Sequence, residues 1–102
     1  MKPTVAAVAK LTAQPGKRDE LIAAFTPLLD AVSDEEGTLL YLLHVSHHDD
    51  DTIWFYEQYT DNDALAAHST SPAMKAIGPQ LAGLLAGRPE ITLLTPKAGK
   101  GL

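Results

Sequence analysis

Residues 38–60, TLLYLLHVSHHDDDTIWFYEQYT, decide how this chain folds. They read as two strands, 38–47 and 52–60, joined across His48-Asp49-Asp50-Asp51 as a hairpin. Successive side chains of a strand point to opposite faces. Leu39, Tyr41, Leu43 and Val45 therefore share one face, and Leu40, Leu42 and His44 the other. In the second strand Ile53, Phe55, Glu57 and Tyr59 oppose Trp54, Tyr56 and Gln58. A half-solvated antiparallel sheet alternates apolar with polar residues. This hairpin is apolar on both sides, so both faces are expected to be covered.

Upstream, residues 3–13 (PTVAAVAKLTA) read as a strand with Val5, Ala7, Ala9 and Leu11 on one face, closed by a turn at Pro15-Gly16. Leu21, Ile22, Phe25, Leu28, Leu29 and Val32 form one apolar stripe, which predicts a helix over 17–33, bent at Pro27 and ended by Gly37. Downstream, Asp61, Asn62 or Asp63 caps a short helix that ends near Ser69. Ser71-Pro72 opens another, whose stripe is Met74, Ile77, Leu81, Leu84 and Leu85, bent or broken at Gly78-Pro79 and stopped by Gly87. Residues 89–96 (PEITLLTP) predict a last strand, and 97–102 a loose tail on a single domain spanning 1–102.

The order strand, helix, strand, strand, helix, strand is that of a ferredoxin-like α+β fold, βαββαβ. Both helices then lie on one face of a four-stranded antiparallel sheet. The helices suffice for one face only. The other face implies a partner sheet, most simply from a second copy of the chain, packed through Leu40, Leu42, Trp54 and Tyr56.

Composition narrows the function. The chain has 102 residues, 45% of them apolar and 21% charged, as in an ordinary globular domain. Eight basic against thirteen acidic residues give a net charge of −5, which argues against a nucleic-acid partner or an anionic membrane. The lack of cysteine excludes disulfides, thiolate metal sites and cysteine nucleophiles. No apolar run is long enough to span a bilayer. The opening MKPTVAAVAK has a signal-like look, but its short run is interrupted by Lys10 and alternates as a strand does, so a cytoplasmic location is expected.

Three groups of residues carry possible chemistry. His44, His47, His48 and Asp49–Asp51 offer metal-ligand types, yet neighbouring strand residues diverge and clustered aspartates suit a solvated turn; the turn reading is preferred and no metal is expected. Glu57 stands among apolar residues on the face of Phe55 and Tyr59. It is either ion-paired, for example with Lys10 or Arg88, or a carboxylate lining a pocket. His68 closes the segment DALAAHSTSP and is either a surface histidine near a helix C-terminus or an acid–base group. No nucleophile elbow, dinucleotide fingerprint or phosphate loop occurs.

The segments PGKRDELIAAFTPLL (15–29), GTLLYLLHVS (37–46) and TIWFYEQYTDNDALAAHSTSPAMKAI (52–77) together resemble the antibiotic biosynthesis monooxygenase superfamily, including its quinol monooxygenases. The most specific parts are Gly37-x-x-x-Tyr41, Glu57-x-Tyr59 and Ala64-Leu65-x-x-His68-x-x-Ser71. The resemblance implies a dimeric α/β barrel and oxidation of an electron-rich aromatic by dioxygen without metal, haem or flavin. It also implies a cavity between sheet and helices lined by Ala9, Tyr41, Glu57, Tyr59, His68, Met74 and Ile77. Within it His68, by its near-neutral acid–base chemistry and its place at a helix break, is the expected catalytic group, with Glu57 to orient it. Where haem-degrading relatives carry a first-strand asparagine and a ligating histidine, this chain has Ala9 and Gly78, which disfavours haem degradation. The same missing asparagine weighs against anthrone oxidation. Two other readings stay open: a small-carbonyl isomerase using Glu57 and His68, and a binding domain without catalysis.

Overall fold

The computed structural model describes residues 2–102. Its elements run β1 (Val5–Thr12), α1 (Arg18–Ala24), α2 (Thr26–Val32), β2 (Thr38–Val45), β3 (Thr52–Tyr59), α3 (Asn62–Ser69), α4 (Pro72–Leu81) and β4 (Glu90–Leu94). The strands form one antiparallel sheet in the order β2-β3-β1-β4. This is the ferredoxin-like α+β arrangement.

Register assigns the faces. Ala7 pairs with Glu57 and Leu93, Ala9 with Phe55 and Ile91, and Tyr41 with Glu57, so these side chains share the helix-facing side. Leu11, Ile53, Phe55 and Tyr59 are buried there with Leu21, Phe25 and Leu28 of the first helical pair and Ile77 of α4. Burying a side chain of that size contributes roughly 1.5–3 kcal/mol. Leu42, Tyr56, Trp54 and Lys10 occupy the opposite side, where Lys10 Nζ sits 5.8 Å above the Trp54 ring. Leu42 and Trp54 are exposed, and Leu40 and Tyr56 are half-buried. The tail from Pro96 to Leu102 bounds a hollow of about 430 Å³ on this side, together with Leu40, Tyr56 and Gln58.

Several element boundaries depart from the sequence reading. The helix expected over 17–33 is two helices that break at Phe25, because Pro27 has no N–H for the Ala23 carbonyl and instead starts α2. Conversely, α4 runs through Gly78-Pro79 and ends at Leu81, and Gly83 at φ +80° turns the chain. Leu84 and Leu85 therefore leave the helix. Leu85 bridges Ala13, while the Gln14 N–H donates to the Leu84 carbonyl and the Ala86 N–H to that of Thr12. β1, β2 and β4 are shorter than 3–13, 38–47 and 89–96, and just past β2 the Ser46 hydroxyl accepts from the next loop. Both predicted caps form: Asp61 Oδ1 accepts from the Ala64 N–H at 2.8 Å, and Ser71 Oγ from the Met74 N–H at 3.1 Å.

Candidate active site

A cavity of about 490 Å³ lies between the sheet and the helices. Phe25, Phe55, Leu65, Met74, Ile77 and Leu81 give it apolar walls, and Tyr41, Glu57, His68 and Ser69 supply its polar groups. Ile91 and Leu93 of β4, both exposed, form an apolar rim.

β3 carries Glu57 into this space. Its residue exposure is only 8%, and the Tyr59 hydroxyl donates to Glu57 Oε1. Burial pushes the Glu57 carboxyl above its usual range, an effect that Tyr59 and the nearby His68 partly oppose. Burial also raises the Tyr41 and Tyr59 hydroxyls, helped for Tyr59 by its bond to Glu57. Both tyrosines are held neutral. Lys10 lies on the other side of the sheet, so the ion pair considered for Glu57 is replaced by a tyrosine hydrogen bond.

His68, in the last turn of α3, is 2% exposed, which rules out the surface reading. Its ring packs on Tyr41 and Tyr59, with centroid distances of 4.8 and 5.5 Å. Nδ1 lies 2.9 Å from Oε1 of Glu35, in the turn between α2 and β2. Nε2 is buried without a hydrogen-bond partner.

Tyr41, Glu57, His68, Met74 and Ile77 thus line one space, whereas two other expected lining residues do not. Ala9 is sealed in the core and the cavity meets Ala7 instead, one alternation along the same strand face. Tyr59 is fully buried behind the cavity wall, against Glu57 and His68. Sequence reasoning missed Glu35 altogether. It sits in an irregular turn, 33 residues from His68, where neither helical nor strand periodicity gives a signal. Leu65 was within reach of the Ala64-Leu65-x-x-His68 pattern.

The histidine–aspartate group is a turn. Ser46 Oγ accepts from the His48 and Asp49 N–H groups, Asp49 Oδ1 from that of Asp51, and Asp51 Oδ1 from that of Gly16. The Asp51 N–H is the main influence holding the Asp49 carboxyl below its usual range. Among the described residues, no three of His, Asp or Glu converge as a metal ion requires. No helix among them is long and apolar enough to cross a membrane.

The family profile described as antibiotic biosynthesis monooxygenase matches residues 4–79. The chain belongs to that family. No curated protein matches it. Among solved structures it is similar to a Caulobacter crescentus CB15 protein provisionally named an antibiotic biosynthesis monooxygenase, with 31% identity, TM-score 0.87, and 95% of this chain and 92% of that one covered. It is likewise similar to PA3566 from Pseudomonas aeruginosa, with 28% identity, TM-score 0.86 and coverage of 96% and 98%. Rv0793 from Mycobacterium tuberculosis gives 27% identity, TM-score 0.85 and coverage of 95% and 98%. The family relation makes a monooxygenase-like function the frame for the cavity.

Proposed function

We propose that the protein is a cofactor-free monooxygenase acting on a small hydroquinone-type aromatic, with His68 as the base. The observation that carries this reading is the unpartnered Nε2 of a buried histidine on the wall of an apolar cavity. A hydroquinone hydroxyl presented to Nε2 loses its proton, and the resulting anion is electron-rich enough to reduce dioxygen itself. One oxygen atom enters the ring, and the other leaves as water with the two hydrogens the substrate gives up. The apolar walls exclude water from this exchange, and Glu57 lines the same cavity beside His68. Tyr41, Met74 and Ile77 contact the ring of the substrate.

A positioned acid–base group contributes about 10²–10⁴-fold. Oxygen uptake with a panel of hydroquinones tests the reading: His68→Ala is expected to slow turnover by that factor with an unchanged circular dichroism spectrum. Absence of substrate-dependent uptake, or full activity in His68→Ala, overturns it. A second reading has support in the raised carboxyl of Glu57. With His68 it forms two proton carriers in one cavity, as a small-carbonyl isomerase needs. Substrate-dependent deuterium exchange without oxygen uptake identifies that case.

The working form in this proposal is a homodimer. Leu42 and Trp54 stand exposed on a sheet face that no helix covers, with Leu40 and Tyr56 beside them. A second copy laid on that face buries all four.

A further inference from the structure

We propose that Glu35 is a positioning residue whose carboxylate fixes His68, a residue of the cavity lining, in the Nδ1–H tautomer, keeping Nε2 a bare acceptor. Its consequence for turnover rests on His68 being the base. The tautomer is a property of the protein without substrate.

A neutral imidazole has one donor and one acceptor nitrogen, and the hydrogen bond made by one nitrogen sets the state of the other. An ionised carboxylate can only accept. With Glu35 Oε1 2.9 Å away, Nδ1 must carry the proton, and Nε2 keeps its lone pair. The other titratable groups around the ring are Tyr41 of β2 and Glu57 and Tyr59 of β3. The Tyr59 hydroxyl is spent on Glu57, and neither ring nitrogen bonds to any of the three. Among the described residues, only Glu35 hydrogen-bonds the ring. On the neighbouring side, α4 contributes Met74 and Ile77 to the same cavity, neither of which titrates.

Glu35 is itself anchored. The Thr38 hydroxyl donates to the same Oε1 at 2.7 Å, the Thr38 N–H to the Glu35 carbonyl at 3.1 Å, and the Glu35 N–H to the Val32 carbonyl at 3.0 Å. Its distance from His68 is set by Gly37. A Cβ there would overlap Ala64 Cβ and stand 3.2 Å from Thr60 Oγ1, so α3 rests directly on the glycine backbone. Ala64 and His68 are four residues apart, hence on one face of α3. The contact that brings Ala64 onto Gly37 therefore brings His68 to Glu35. This gives the Gly37 and Ala64-x-x-x-His68 positions a common physical purpose.

Long-range ¹H–¹⁵N correlation spectra of the imidazoles test the proposal, with His68 assigned by its loss in His68→Gln. At a pH where the same spectra show the ring neutral, wild-type His68 is expected to show a protonated Nδ1 and a bare Nε2. Glu35→Gln retains an accepting oxygen and should keep that tautomer. Glu35→Leu should move most of the proton to Nε2. With a hydroquinone substrate, Glu35→Leu should lower kcat within the approximately 10²–10⁴-fold range of the base while KM changes little, and Glu35→Gln should restore most of it. A wild-type Nε2–H tautomer, or an unaltered Nδ1–H tautomer in folded Glu35→Leu, overturns the proposal. If Glu35→Leu does not fold, the wild-type and Glu35→Gln spectra decide. Oxygen uptake fails independently: a correct tautomer in a protein that oxidises no hydroquinone removes the monooxygenase reading and leaves this one standing.

Discussion

The two faces of the sheet are built from the same strands but have opposite fates. Phe55 and Trp54 are neighbours in β3, yet Phe55 is 2% exposed beneath the helices and Trp54 is 37% exposed on the other side. On the helix side, burial shifts Glu57 and leaves His68 Nε2 unpartnered, so polar groups are few, fixed and chemically altered. On the outer side Lys10 rests over Trp54, and the large apolar side chains of Leu42 and Trp54 stand exposed. In the proposed function the helix-side face takes a small molecule and the outer face packs on a second copy. The lesson is that apolar alternation alone does not tell the two faces apart; the few buried polar groups do.

The largest effect expected from breaking this contrast is in the core. Phe55→Ala should cost about 3–5 kcal/mol in urea unfolding, because it empties a site enclosed by Phe25 and Tyr41 at ring distances of 4.8 and 4.9 Å. Trp54→Ala, measured below the association concentration, should cost less than about 1 kcal/mol. Equal losses would mean that the two faces are equally buried in the single chain.

Next comes the assembling role of the outer face. Leu42 is 48% exposed in the single chain, so the proposed dimer supplies about half of its roughly 1.5–3 kcal/mol of burial. Over two copies the loss in Leu42→Asp is again about 1.5–3 kcal/mol, which weakens association about 10–150-fold in sedimentation. A wild-type protein that is monomeric at micromolar concentration would sink the proposed dimer.

A smaller effect belongs to the helix that carries His68. Asp61→Ala removes the cap of α3 and should lower stability by about 1 kcal/mol, read as a shifted urea midpoint. The His68 tautomer should survive it, since Gly37 and Glu35 hold the other end of the contact.

The smallest effect is the pH dependence contributed by Glu57. Its folded carboxyl titrates above the ordinary value of 4.5, so the folded state holds this proton more tightly than the unfolded state does. The contribution is complete below about 4.5 and is lost as pH rises through the folded value. Glu57→Gln removes that loss. Its melting temperature relative to wild type should therefore climb as pH goes from 4.5 toward 7; a flat difference would show that Glu57 ionises in the fold as freely as in water.

Much of the fold was legible because its signals are local. Ser71-Pro72 and Asp61 mark helix starts by side-chain geometry within three residues, and the aspartates at 49–51 make the turn their type favours. Boundaries were less legible where a tertiary contact outweighs a pattern. The leucine stripe of α4 continues in sequence to Leu85, but the bridge from Leu85 to Ala13 and the turn at Gly83 draw those residues out of the helix. Glu57 and His68 were legible in the site because each is the wrong residue for its surroundings: a carboxylate in an apolar strand, and a histidine at a helix break.

By itself, then, the sequence determined the strand alternation, the starts of α3 and α4, the hairpin and the exclusion of thiolate chemistry. These depend on residue type and spacing over a few positions. Only the tertiary structure decided that the cavity meets Ala7 and not Ala9, that Tyr59 acts behind Glu57, and that Glu35 is the residue on His68. Periodicity tells which face a side chain takes, but not how deep it lies or what it meets. That depends on how closely α3 can approach the sheet, and the approach is set by the missing side chain at Gly37.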